Sequence, residues 1–252
     1  MKKIAFAVGL GLLLGSPAVA DEHAAGSEKH WSYSGETGPA HWGDFSETCA
    51  KGKQQSPINI ITTDVVKGNA PRLSFHYADP GTGHPTETNN GHTIQISVPA
   101  GRFITLDGDR YDLLQLHFHA PSEEQLDGVN REMVLHLVHK NDKGKLAVVA
   151  LLFRKGDPNA PLDEIFRQMP AQKEQQQELA SLDLEQLLPA DRSYFHFMGS
   201  LTTPPCTEGV KWFVLKQSAT VSARQLSALT SIYRHTNRPV QMTNGRSVLS
   251  SN

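Results

Sequence analysis

The chain has 252 residues, with 24 Lys and Arg against 26 Asp and Glu, 12 His, only 2 Cys and 38% hydrophobic residues. A near-neutral chain with a pI near 6.6 has no general basic field with which to hold nucleic acid, and its one long apolar run is too short to span a bilayer. The length suits one large domain or two small ones, and any metal site must be built mainly from imidazole, which excludes a Cys-rich zinc scaffold and a disulfide mini-protein.

Lys2 and Lys3, the apolar stretch Ile4 to Leu14 and the small residues Ala18-Val19-Ala20 form the three parts of a secretory signal peptide over residues 1–20. Cleavage near Ala20 leaves one exported, mildly acidic domain, residues 21–252, that is soluble and periplasmic or secreted. In an oxidising compartment Cys49 and Cys206 most simply make one disulfide, the alternative being two separate buried thiols. Residues 21–40 are polar, Gly-rich and without period, and read as an N-terminal arm that packs through Trp31 and Tyr33.

Strand alternation follows in Leu73, Phe75 and Tyr77, then in Ile94, Ile96 and Val98. Asp107-Gly108 and Asp127-Gly128 signal hairpins, because a tight primed turn needs positive φ. Leu146 to Phe153 is an unbroken apolar run of strand length, as expected of a central strand covered on both faces. A short helix is expected after Pro161 and another after Ser222 as N-cap, with Leu226, Leu229 and Tyr233 on one face. Gln172 to Glu178 reads equally as a helical turn or a solvated loop. No internal repeat or linker appears, so a single β-rich domain is the simplest organisation.

The chemistry gathers around the second hairpin, in Gln115-Leu116-His117-Phe118-His119 and Leu135-His136-Leu137-Val138-His139. Residues two apart on a strand share a face, so Gln115, His117 and His119 project together while Leu116 and Phe118 point to the core. A hairpin centred on Asp127-Gly128 sets His136 opposite His119, within a residue or two of register. An isolated His-X-His is weak evidence. Three imidazoles from two adjacent strands, however, occupy three corners of a tetrahedron and leave the fourth for water, which is a catalytic zinc arrangement. His139 has the opposite parity and reads as a packing histidine. His23, His30, His41, His76, His84 and His235 read as surface or structural residues.

At these residues the sequence resembles the α-class carbonic anhydrases, in particular the bacterial exported members. The match includes His41-Trp42-Gly43, Gln55-Ser56-Pro57-Ile58, Asn90-Gly91-His92, Ser122-Glu123, Gly199 to Cys206, Trp212 and Asn237 to Gln241, in the family's order over nearly the whole chain. The resemblance implies a mainly β fold: one domain with a large central, mostly antiparallel sheet and a few short peripheral helices. It implies reversible hydration of carbon dioxide to bicarbonate and a proton, with Zn2+ as cofactor, a monomer or homodimer, and inhibition by sulfonamides or anions.

By the same resemblance His117, His119 and His136 are the zinc ligands. Thr202 accepts from the zinc-bound hydroxide and donates to Glu123, and His92, which shares strand parity with Ile94, is the proton shuttle. Val138, Val148, Leu201 and Trp212 form an apolar wall for carbon dioxide, Thr203 contacts bicarbonate, and a Cys49–Cys206 bridge holds the loop beside Thr202. Gln115 fixes the tautomer of His117 from two residues back on the same face. A departure occurs at the third ligand. The family often has Glu two residues before it, whereas this chain has Val134, so a weaker or slower site is expected unless another group takes the imidazole N–H. Two other readings compete. A cupin-like metal enzyme fits the His117, His119, Glu123 spacing but lacks the flanking glycines, Tyr111 and Asn130 standing in their places. A binding protein that has lost catalysis is disfavoured by the complete ligand set.

Overall fold

The computed structural model describes residues 30–78 and 83–251. Residues 1–20, expected from the sequence to be a signal peptide, His23 and the first part of the expected arm lie outside the described residues. The chain enters through two 3-10 turns, Gly35–Thr37 and Pro39–Asp44, and helix α1 (Glu47–Lys51), followed by the short strands β1 (Asn59–Ile60) and β2 (Val66–Lys67). Strands β3 (Leu73–His76), β4 (Thr86–Asn89), β5 (Ile94–Ser97) and β6 (Phe103–Leu106) lead into the long β7 (Asp109–His119). A small hairpin, β8 (Gln125–Leu126) and β9 (Val129–Asn130), precedes β10 (Met133–Lys140) and β11 (Leu146–Lys155). Then come α2 (Ala160–Phe166), β12 (Gln176–Glu178), α3 (Leu184–Leu187), β13 (Tyr194–Ser200), β14 (Glu208–Leu215), β15 (Ala219–Val221), α4 (Ala223–Ile232) and β16 (Leu249–Ser250).

Among the described residues the large sheet has 13 strands, with β5, β7, β10, β11, β14 and β13 side by side at its centre. It is mixed but mostly antiparallel, as expected; β11 runs parallel to β14 and β15, and β16 parallel to β2. The apolar run at 146–153 is the central strand β11, and its alternate residues serve two cores. Ala147, Val149, Leu151 and Phe153 face one core, covered by Leu162 and Ile165 of α2, Leu184 and Leu187 of α3 and Leu229 of α4. Val148, Ala150 and Leu152 face the other, with Val134, Val138 and Trp212. Fully burying one such side chain stabilises by about 1.5–3 kcal/mol, and β11 contributes such burial to both cores at once.

Asp107 and Gly108 (φ 51° and 97°) form the expected two-residue turn between β6 and β7. Ser222 caps α4 through a reciprocal pair with Gln225, a device worth about 1 kcal/mol. Pro161 is the second residue of α2, which begins one residue earlier than the sequence places it. Residues 176–178 of the Gln/Glu-rich segment are neither helix nor loop. They form the edge strand β12 against β4, and Gln177 donates to the buried Glu87 at 2.7 Å.

The hairpin register also differs from expectation. Asp127-Gly128 does turn β8 into β9, but these strands join β1 in a separate three-stranded sheet. When the chain re-enters the main sheet, β10 has slipped two residues, so His136 faces His117 and Val134 faces His119. A shift of two preserves side-chain parity, and the imidazole face survives it.

Candidate metal centre

Strand β7 presents Gln115, His117 and His119 on one face, and β10 sets His136 and Val138 beside them. The ligand atoms of His117, His119 and His136 lie within 4.8 Å of one another. One nitrogen of each ring is already engaged. His117 Nδ1 meets Gln115 Oε1 at 2.8 Å, His119 Nδ1 meets the Thr236 carbonyl at 2.6 Å, and His136 Nε2 meets Glu124 Oε2 at 3.3 Å. Each partner is an oxygen that can only accept, so the engaged nitrogen carries the proton and donates it. The lone pairs left over are Nε2 of His117, Nε2 of His119 and Nδ1 of His136.

Burial, with His136 close by, pushes His117 down to about 3 and holds His119 well below the ordinary histidine value. His136 behaves differently: burial lowers it, but Glu124 and Glu123 outweigh burial and raise it above the ordinary value. His119 Nε2 and Glu123 Oε2 are both buried, 3.6 Å apart and without a hydrogen-bond partner. An orphaned ring nitrogen in a set of three imidazoles fits a tetrahedral zinc with one open position.

Glu123 is fully buried, and burial raises its carboxyl to about 7, with His136 opposing and Glu124 adding to the rise. The Arg238 main-chain N–H at 2.7 Å and the Thr202 hydroxyl donate to it. Thr202 follows β13, where Gly199 lies so close to Ser56 that a Cβ would come within 2.1 Å of its Oγ. The loop beyond is tied by the Cys49–Cys206 disulfide, by Cys206 N–H to the Thr203 carbonyl at 2.8 Å and by Gln55 Nε2 to the Cys206 carbonyl at 3.1 Å. The Arg238 guanidinium joins the same cluster, donating to Gln55, Ser56 and Cys49.

The apolar wall is a row across three strands: Val138 pairs with Val148, and Val148 with Trp212. Leu201 packs against this cluster, and the Trp212 ring lies 5.0 Å from that of His136. His92 is not on β5, so strand parity does not aim it. It sits in a turn where Asn90 Oδ1 accepts its N–H at 3.0 Å, and its ring stacks on Trp31 at 3.7 Å. Trp31 in turn contacts Tyr33, whose ring lies 6.3 Å from His119, so the arm links His92 to the ligand cluster. His139 is buried on the other side, bonded to the Tyr77 hydroxyl at 2.6 Å, as its parity implied.

A sequence model of the family "Eukaryotic-type carbonic anhydrase" matches residues 37–252. The chain belongs to the α-carbonic anhydrase family. It is an enzyme, a carbonic anhydrase. The carbonic anhydrase of Klebsiella pneumoniae is 47% identical over 227 residues, covering 87% of this chain and 90% of that protein. The α-carbonic anhydrase of Thermovibrio ammonificans, solved with sulfanilamide, superposes with a TM-score of 0.82 at 40% identity, covering 87% of this chain and 98% of that one. That of Photobacterium profundum gives 0.81 at 42% identity, covering 87% and 100%.

Within this α-carbonic anhydrase framework, three contributors escaped the sequence reading. The Thr236 carbonyl is main chain and has no side-chain signal. Arg238 was visible only as part of a motif, without a role. Glu124, to which the sequence assigns no role, is fully buried.

Proposed function

We propose that the chain hydrates carbon dioxide reversibly with a zinc ion held by His117, His119 and His136. The observation that carries this reading is the convergence of three ring nitrogens whose opposite nitrogens each have a fixed acceptor. Bound zinc supplies hydroxide at neutral pH by lowering the pKa of water to about 7, carbonic anhydrase being the reference case for this effect.

The protein groups then direct the reaction. Glu123 accepts a hydrogen bond from the Thr202 hydroxyl, which leaves the Thr202 oxygen to act as an acceptor and so to orient the nucleophile toward substrate. Val138, Val148, Leu201 and Trp212 offer carbon dioxide an apolar surface, and in this reading Thr203 contacts bicarbonate. His92 takes the released proton. Burial, with Lys173 and His30 nearby, holds it below the ordinary histidine value, which favours the neutral form that can accept a proton. His92→Ala is expected to lower turnover in dilute buffer by about 100-fold, the lower end of what a positioned proton-transfer group contributes, with added imidazole restoring it. Equal rates at every buffer concentration would remove His92 from the pathway.

Residues 1–20 act as a signal peptide in this reading and residues 21–252 as the exported domain, periplasmic or secreted, in which the Cys49–Cys206 bridge forms. Mass analysis of the exported protein is expected to find Asp21 as its first residue. Zinc analysis combined with stopped-flow hydration and sulfanilamide titration tests the whole. One zinc per chain, activity and inhibition are expected, and an inactive zinc-free protein that stays inactive after zinc addition would refute it.

A further inference from the structure

The three ligands do not obtain their acceptors in the same way. His117 takes Gln115 from two residues back on its own strand, at 2.8 Å. The corresponding position for His136 is Val134, which carries no acceptor and is buried in the apolar cluster with Val148 and Val214. Among the described residues, the hydrogen-bond partner of His136 Nε2 is Glu124 Oε2, from outside the strand, at 3.3 Å.

The backbone that carries Glu124 is firmly held. Ser122 Oγ donates to the Glu124 carbonyl at 2.8 Å and accepts the Arg131 N–H at 2.8 Å. Asn130 Nδ2 donates to the Ser122 carbonyl at 2.6 Å, and Gln125 N–H reaches the Ile58 carbonyl at 3.3 Å as β8 pairs with β1. The small sheet that displaced the hairpin register therefore also aims Glu124 inward. The carboxylate is completely buried, with Oε1 unpartnered, and burying it is unfavourable unless it serves a partner.

We propose that Glu124 is the positioning residue for the third metal ligand, holding the His136 proton on Nε2 and turning Nδ1 toward the metal in place of an acceptor at position 134. This rests on the zinc reading of the site. It meets the exception in the sequence expectation of a weak site, because another group, Glu124, takes the N–H that Val134 cannot.

The test is zinc affinity by chelator competition on full-length folded protein. Glu124→Ala is expected to weaken zinc binding about 10- to 100-fold, and Glu124→Gln, which keeps an acceptor oxygen, to weaken it less. Val134→Glu alone is expected not to tighten binding, whereas Val134→Glu combined with Glu124→Ala is expected to recover much of the loss. That recovery separates positioning from a merely structural role, and the Gln variant serves if the Ala variant fails to fold. Wild-type affinity in folded Glu124→Ala or Glu124→Gln protein, or tighter binding in Val134→Glu alone, would overturn the proposal and leave the zinc site standing. A wild-type chain that binds no zinc would instead overturn the metal reading.

Discussion

Replacing His119 with alanine is expected to remove stoichiometric zinc and to reduce carbon dioxide hydration to the uncatalysed background, whereas His139→Ala is expected to leave both in place. The pair is informative because the two histidines are alike in most respects. Both are buried, and burial pushes both well down, His139 to about 3. They differ in direction. His119 turns one nitrogen to the Thr236 carbonyl and leaves the other facing His117 and His136. His139 spends its nitrogens on the Tyr77 hydroxyl and the Ala147 carbonyl and has none left for a metal. Each substitution strands a buried polar partner, so each is expected to cost about 1–3 kcal/mol of folding stability, measured by urea unfolding. Only one should cost the metal. Zinc content at one per chain in His119→Ala protein would place the metal elsewhere, and loss of zinc in folded His139→Ala protein would mean that strand parity does not sort these side chains.

That sorting was legible in the sequence because it depends on a local property, the two-residue period of a pleated strand. Gln115, His117 and His119 share a face whatever the strand pairs with, and β11 reads as central because apolar residues occupy both of its faces. Pairing is less local. The turn at Asp127-Gly128 was correctly located, yet the register beyond it depends on β1, almost 70 residues earlier, capturing β8 into a second sheet. The bulge between Val138 and His139 is equally invisible in the pattern, as is the edge pairing that turns residues 176–178 into a strand. His92 shows the same limit. Alternation carried back from Ile94 does not aim it, because His92 and Thr93 lie in the turn before β5, where both of their main-chain N–H groups donate to Asn90 Oδ1. Glu124 escaped for a related reason: its flanking residues are held by distant partners, Gln125 by Ile58 and Ser122 by Asn130 and Arg131, while its neighbours in sequence are polar.

Removing the bridge as Cys49→Ser with Cys206→Ser is expected to lower folding stability by up to about 5 kcal/mol, read from the urea midpoint, since it frees a loop with a sequence separation of 157. The chain-entropy figure is an upper one, because strain in the native state subtracts from it. Substitution is a better test than a reducing agent: Cys206 is fully buried and Cys49 nearly so, in a cluster with Trp42. An activity loss is expected on top of the stability loss, in conditions where the variant is fully folded. Thr202 lies four residues before Cys206, and the loop between them turns back through Cys206 N–H to the Thr203 carbonyl. Gln55 still grips the Cys206 carbonyl when the sulfurs are gone, and Arg238 still reaches Cys49, so the loop keeps its path while its amplitude of motion grows. The Thr202 hydroxyl then spends less time bonded to Glu123, and under the proposed mechanism the nucleophile is oriented less often. The expected signature is a fall in kcat/KM with zinc content unchanged, because none of the three imidazoles is anchored by this loop. An unchanged kcat/KM in folded bridge-free protein would mean that Gln55 and Arg238 alone hold Thr202, and would confine the disulfide to stability.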